Sequence, residues 1–342
     1  MFRRDPVKPA DQIVTAWEQR DEGAFLAALE KLPQAARRAK PDQVQAAVVR
    51  LLPVLAEISP GSGGHLAQLA GAMADLGTDV TVVAPILVRR AAGVLEQAAE
   101  FERAYRAEHG SVPSSGFEAV IPQVMERFTG DPALVEAYFT ANQWVQPVIY
   151  LSQRKEFRAA VAAVPDRPRL LSAAGAAKDF VDAAGWLQGL LVVVDDEPLI
   201  VLHRATGRAF RVTISGIGDN FQLHTLLAGA LVGDAGAGLA GERPSAVEIA
   251  AASDGDPEPA NGIRGTFNLV DHTGEWIWNE GHPADIPALD GVRLVVIDPA
   301  PYDRTWNTGR LYPHMKPELT VAGELPADEA ATWSGRVKPS QR

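Results

Sequence analysis

The sequence contains no cysteine in its 342 residues. Disulfide bonds, zinc sites with thiolate ligands and cysteine nucleophiles are therefore excluded. A secreted protein built on disulfides is a poor fit to this composition.

Long apolar runs are also lacking. The stretch LQGLLVVV ends at an acidic pair, well short of the roughly 20 residues that a membrane-spanning helix needs. The N-terminal segment MFRRDPVKPADQ is basic, but no apolar run follows it, so no signal peptide is predicted. We expect a cytoplasmic protein without a membrane partner.

Basic residues are scarce in the second half of the chain. The net charge is −11, and residues 166 to 342 hold 15 Lys or Arg against 24 Asp or Glu. Nucleic acids and anionic membranes are bound through basic surfaces. This half is therefore not expected to bind nucleic acid.

Motifs that would name a reaction are missing as well. The sequence has no GxSxG nucleophile elbow, no phosphate-binding P-loop and no HExxH zinc motif. The glycine-rich stretch SGIGDN lacks the third glycine of a dinucleotide fingerprint. We interpret it as a turn in which Asp219 or Asn220 caps a following apolar helix.

Amphipathic helical patterns fill the first half. PDQVQAAVVRLLPVLAEI repeats apolar residues at helical spacing, and GGHLAQLAGAMADLG ends at a glycine, as many helices do. Similar patterns, separated by short breakers, continue to VPDRPRL. The absence of a repeated signature favours an irregular helical bundle over residues 1–165.

The periodicity changes in the second half, after one further helix, LSAAGAAKDFVDAAGWL. Strands are predicted at LLVVV (190–194), LIVLHR (199–204) and AFRVTIS (209–215), and again at RGTFNLVD, GEWIWNE and GVRLVVIDP. Residues 233–263 read as a polar loop, and residues 324–342 as a short helix and a tail. The predicted class is α+β: an N-terminal all-helical bundle, then a mostly antiparallel β domain (166–323) with one or two helices.

Aromatic and titratable residues are concentrated between residues 262 and 315. This stretch holds three of the seven tryptophans and three of the seven histidines. If TFNLVD and EWIWN form a hairpin, Trp276 and Trp278 lie beside Phe267 on one sheet face, so we predict that both tryptophans are core residues.

The loops of the same stretch supply the candidate site residues, because aromatic and polar groups alternate in them. The candidate binding residues are Tyr302, Arg304, Trp306, Asn307, Arg310, His282 and Asp285. A metal site, if one exists, would use His272 and His282 with Asp271 or Asp285.

Two hypotheses about function remain open. The first is a non-catalytic adaptor or binding protein that recognises a protein or peptide partner, since tryptophan and arginine anchor interfaces. The second is an enzyme with an interdomain pocket that uses His272, His282 and nearby carboxylates, including a metal-dependent form. The sequence names neither a cofactor nor a substrate.

Overall fold

The computed structural model describes residues 5–76, 78–116, 120–255, 260–265 and 267–341. The chain divides into two compact units, Met1–Leu191 and Val192–Arg342. In the described ranges, no helix combines the length and the apolarity needed to cross a membrane.

The first unit is helical, as predicted. Its helices are α1 Val7–Gln19, α2 Glu22–Ala36, α3 Pro41–Glu57, α4 Pro60–Ala74, α5 Ala84–His109, α6 Ile121–Arg127, α7 Pro132–Ser152, α8 Lys155–Ala163, α9 Arg167–Ala177 and α10 Asp182–Leu191. Side-chain caps begin several of them: Asp21, Ser59 and Asp131 each accept a hydrogen bond from a backbone N–H in the first turn of the next helix.

Close packing of α4 on α7 forms the middle of this unit. The fully buried Trp144 of α7 donates its indole N–H to the carbonyl of Pro60 at 2.9 Å. A Cβ at Gly63 of α4 would lie 2.4 Å from the Trp144 ring, so this contact requires glycine. The guanidinium of Arg90 lies 4.7 Å from the centre of the same ring, and its burial lowers the pKa of Arg90.

The division between the units differs from the boundary predicted near residue 165. Both α9 and α10 belong to the first unit, and Leu170, Ala174 and Leu187 are buried in its core. The predicted strand at residues 190–194 is wrong, because Leu190 and Leu191 end α10. An apolar run of this length fits a buried helix end as well as a strand.

The second unit contains a mixed sheet. Its elements are β1 Glu197–His203, β2 Arg208–Ser215, α11 Asn220–Leu231, α12 Ala246–Ala252, β3 Ala260–Arg264, β4 Phe267–Val270, β5 Ala288–Leu289, β6 Val292–Pro299, β7 Thr305–Thr308, β8 Glu318–Glu324 and α13 Ala327–Ser334. The strand order is β4-β6-β1-β2-β8, with β5 paired to β6, while β3 and β7 form a separate antiparallel pair. The predicted α+β class is confirmed. The short helix α12 lies inside the segment for which the sequence predicts a loop.

Among the strands that the structure describes, pairing is antiparallel except between β1 and β6. In the β1–β2 hairpin, Val201 faces Phe210. The parallel pair brings Leu199 of β1 next to Arg293 of β6 and His203 next to Ile297. This one parallel pair places the end of β1 beside the end of β6, where the groove described below begins.

Alternating side chains give the sheet an apolar core on each face. Leu199, Val201 and Val295 pack on one face with α11, whereas Ile200, Leu202 and Val296 pack on the other face, on which α13 lies. In β2 the buried Phe210, Val212 and Ile214 alternate with the exposed Arg211 and Thr213, as predicted.

The glycine-rich segment before α11 is a capping turn, as predicted. Asp219 accepts a hydrogen bond from the backbone N–H of Gln222 at 2.8 Å. Burial of this carboxyl group raises its pKa.

Candidate functional site

A groove of about 920 Å³ opens in the second unit at the ends of β1 and β6. Residues from four separate stretches of the chain line it. They are Arg204, Asn268, Trp276, Asp298, Pro299, Ala300, Pro301, Val337, Pro339 and Ser340.

The floor of the groove is polar. The Nε of Arg204 donates to Oδ1 of Asp298 at 2.5 Å, and Asp298 is only 7% exposed. Another nitrogen of Arg204, Nη1, donates to the carbonyl oxygen of Lys338 at 3.3 Å. Within the described residues Nη2 of Arg204 is buried without a hydrogen-bond partner.

Trp276 lines the groove beside this floor, and its ring contacts those of Trp278 and Tyr302. We call these three side chains the aromatic shelf. The ring centre of Trp276 lies 6.3 Å from that of Trp278 and 6.3 Å from that of Tyr302. Trp276 is partly buried, but Trp278 is 69% exposed and Tyr302 is 54% exposed. Large apolar groups exposed together on one surface are typical of a binding site.

A tight turn explains the position of Trp276. Oδ1 of Asp271 accepts hydrogen bonds from the backbone N–H of Thr273 and Glu275 and from the Thr273 hydroxyl. The chain reverses there, and Val270 pairs with Trp276 in an isolated β-bridge. Trp276 consequently packs with Val270 in the core on the α13 side of the sheet.

This register corrects the prediction that both tryptophans belong to the core. Ile277, not a tryptophan, packs on the sheet face that holds Phe267 and Leu269. Pairing beyond residue 277 is not continued, and Trp278 faces solvent. A one-residue change of register moves side chains to the opposite face, so alternation alone did not determine this outcome.

The C-terminal segment Val337–Gln341, here called the tail, forms one wall of the groove. The backbone N–H of Lys338 donates to the carbonyl of His272 at 3.0 Å, and that of Gln341 donates to the carbonyl of Gly274 at 2.9 Å. Gly274 has a φ of +92°, and a Cβ there would lie 2.2 Å from the carbonyl oxygen of Pro339. The tail therefore pairs through its backbone with the turn that carries the aromatic shelf.

A second cluster of polar and aromatic side chains lies around His224 of α11. His224 stacks on Phe267, and its ring centre lies 4.8 Å from that of Trp306. Burial is the largest cause that lowers the pKa of His224, to about 3, and the charge of Arg304 adds to it. In the described part of the chain, both ring nitrogens of His224 and Nε1 of Trp306 are buried without partners. His224 is thus a neutral core residue.

The predicted loop residues Tyr302, Arg304, Trp306, Asn307 and Arg310 do not form one site. Arg304 donates to the carbonyl of Phe267 and to Oδ1 of Asn268, and Arg310 donates to the carbonyls of Ser253 and Gly255. Asn307 is exposed on β7. Of these five residues only Tyr302 belongs to the aromatic shelf, while Arg304 is linked to the groove through Asn268.

His282 and Asp285 lie at the start of α11 rather than in the groove. The Nδ1 of His282 lies 2.7 Å from the carbonyl oxygen of Gly218, and Asp285 accepts a hydrogen bond from the backbone N–H of His282. The backbone N–H of Asn220 donates to the carbonyl of Gly281. The His282 side chain and the Gly281 carbonyl hold the loop against the start of α11, whereas Asp285 stabilises the loop itself.

The structure gives the metal prediction no geometric support. Asp271 caps its own turn and His272 belongs to the same turn, whereas His282 bonds to the Gly218 carbonyl. Among the residues that the structure describes, no three His, Asp or Glu side chains are placed to hold a metal ion.

Sequence reasoning missed the floor and the tail. Arg204, Asn268 and Asp298 are far apart in the sequence, and each reads as an ordinary polar residue at or near a strand end. One sequence signal could have pointed to the groove: the proline-containing stretches PAPY, at the end of β6, and VKPSQ, near residue 340. Prolines from both stretches line the groove.

Comparisons with protein families, with curated proteins and with solved structures give no match to this chain. Its candidate function therefore rests on the geometry of the groove.

Proposed function

We propose that the second unit binds an extended, basic, proline-containing segment of a partner protein in the groove beside the aromatic shelf. The observation that carries this proposal is the aromatic shelf itself, where Trp278 and Tyr302 are exposed and each lies against Trp276.

The shelf favours proline over other residues. Proline-rich segments are extended before they bind, so they lose little entropy on binding, and they dock in grooves lined by aromatic rings. Aromatic side chains also provide a large contact area and lose little side-chain entropy on binding. Ring centres 6.3 Å apart place Trp276 in contact with both Trp278 and Tyr302, so the three rings offer one connected aromatic surface on which a proline ring can pack.

The polar floor supports binding rather than chemistry. Its two charged groups, Arg204 and Asp298, are bonded to each other. A second Arg204 nitrogen already binds one backbone carbonyl, that of Lys338.

The tail indicates the chemistry of the occupant. It has the sequence VKPSQ, pairs through its backbone with the turn at His272 and Gly274, and lines the groove with Pro339. Two basic residues, Arg336 and Lys338, accompany it in a half of the chain that is strongly acidic. Charge complementarity and this internal example both favour a basic partner segment that contains proline.

Binding can be tested with a fluorescein-labelled peptide RVKPSQR, the sequence of residues 336–342, titrated into the full chain and followed by anisotropy. We expect saturable binding and a weaker signal for a peptide with alanine in place of proline. Replacing Trp278 by alanine should weaken binding roughly tenfold, the effect of losing about 1.4 kcal/mol.

The matched control is Trp186→Ala. Trp186 is 52% exposed, similar to the shelf residues, but it lies on α10 of the first unit. Its removal should leave the affinity unchanged. Equal affinities for the Trp278→Ala variant and the unsubstituted chain would reject the groove as the binding site.

A further inference from the structure

We infer that the tail, Val337–Gln341, is an intramolecular ligand of the turn at His272 and Gly274, and that a partner segment displaces this wall of the groove when it binds. This inference rests on the proposed function and adds its regulation: the free chain is held in a self-occupied state with reduced affinity.

The tail is held by backbone groups rather than by its own side chains. Lys338 and Gln341 donate their N–H groups to the carbonyls of His272 and Gly274, and Arg204 donates to the carbonyl of Lys338. Any extended segment can make such bonds, whatever its sequence. A partner segment can therefore replace the tail along the same path.

The side chains of the tail are held less firmly. Lys338 and Pro339 are exposed, and Val337 is partly buried against the core that contains Val270 and Leu294. Segments with few buried apolar contacts open at a low free-energy cost. The tail can then leave the groove while the sheet stays folded.

Anchors at the N-terminal end keep the tail close after it leaves. Arg336 pairs with Asp290 at 2.6 Å, and its guanidinium lies 5.4 Å from the centre of the Trp333 ring. Trp333 is part of α13, whose Ala330 is buried against the sheet. The short tether gives the tail a high effective concentration at the groove, so it competes with a free segment.

Gly274 allows the tail, or a partner segment in its place, to lie close to the turn. Its φ is left-handed, and a Cβ at this position would lie only 2.2 Å from the Pro339 carbonyl oxygen, so the turn accepts an extended segment only with glycine here. The turn is shaped for close approach of another backbone.

The test compares two variants of one exposed residue in the full chain. Lys338→Pro removes the backbone N–H that bonds to His272, whereas Lys338→Ala keeps it and removes only the exposed side chain. With the labelled RVKPSQR peptide as the probe, we expect Lys338→Pro to bind it several-fold more tightly than Lys338→Ala. A chain that ends at Arg336 should bind the peptide roughly tenfold more tightly than the full chain, because a larger fraction of the molecules is then free to bind it.

The outcomes distinguish a failure of this inference from a failure of the proposed function. Equal affinity in the full chain, the Lys338→Pro variant and the shortened chain would overturn the inference and leave the proposed function standing. Loss of probe binding on shortening would also overturn it, because the tail would then be a required wall of the site. If none of these chains binds the probe, the proposed function fails and the inference fails with it.

Light scattering separates a tail bound in its own chain from a tail exchanged between copies. We expect a monomer for both the full and the shortened chain. A full chain that dimerises and becomes monomeric on shortening would show that the tail occupies the groove of a second copy, which contradicts the inference.

Discussion

The imidazole of His224 lies parallel to the ring of Phe267, with ring centres 4.5 Å apart and planes inclined by 5°. His224 is 1% exposed, its ring also contacts that of Trp306 edge to face, and the charge of Arg304 acts on it. A stacked, neutral histidine in the core couples the stability of the second unit to pH.

The first prediction follows from the lowered pKa of His224. An unfolded chain takes up a proton on this residue near pH 6.5, whereas the folded chain does so only near pH 3. The stability that depends on a neutral His224 is thus fully present above pH 6.5 and decreases as the pH falls. Between pH 7 and pH 5 the loss is about 2 kcal/mol.

Denaturant unfolding of His224→Phe at several pH values tests this. The His224→Phe variant should lose less stability on acidification than the unsubstituted chain. His65 is exposed, and the control variant His65→Gln should lose as much stability as the unsubstituted chain. An unchanged pH dependence in His224→Phe would show that other groups control acid unfolding.

A second prediction concerns the packing of α4 on α7. Gly63→Ala places a Cβ 2.4 Å from the Trp144 ring, so we expect a loss of about 2 kcal/mol in the free energy of unfolding. Gly93→Ala on α5 is the control, because the nearest atom there, Nη2 of Arg169, is 3.6 Å away. It should instead stabilise the helix by about 0.5–1 kcal/mol. Similar effects of the two substitutions in chemical denaturation would contradict the observed contact.

The third prediction compares two ion pairs of the second unit. Asp298 is nearly buried and bonds to Arg204, so Asp298→Ala leaves Arg204 unpaired and should cost about 2 kcal/mol after allowance for the partial exposure of Arg204. Glu329 pairs with Arg211 on the surface, and Glu329→Ala should cost less than about 1 kcal/mol. Thermal unfolding of the two variants gives the comparison. Equal losses would mean that the floor pair is as solvated as the surface pair.

A fourth prediction separates the two roles of the shelf. Tyr302→Ala removes an exposed ring and should weaken binding of the RVKPSQR peptide without lowering stability. Trp276→Ala removes a partly buried ring from the core and should lower both the affinity for the peptide and the stability of the fold. Calorimetry of unfolding and of peptide binding on the same samples would distinguish the two variants. Full affinity in the Tyr302→Ala variant would show that Tyr302 is not part of the binding site.

Local patterns predicted much of the fold. Helical spacing in the first unit and the alternation of Phe210, Val212 and Ile214 in β2 are encoded by neighbouring residues, and both predictions are confirmed. The parallel pairing of β1 with β6 joins residues about a hundred positions apart, and no local pattern encodes it. This pairing determines where Arg204 meets Asp298.

The site was predictable only in part for the same reason. The density of tryptophan near residue 276 drew attention to this stretch, but the bridge between Val270 and Trp276 set the register and turned Trp278 outward. The contribution of the tail depends on two backbone hydrogen bonds, to His272 and Gly274, which side-chain identity does not reveal.

The location of a bound segment tests the central claim most directly. A copy of the RVKPSQR peptide with a photoreactive phenylalanine at the proline position can be cross-linked to the full chain and mapped by mass spectrometry. We predict cross-links at Trp276, Trp278 or Tyr302, which are abolished by an excess of unlabelled peptide. Cross-links confined to the first unit, or unaffected by competitor, would contradict the account.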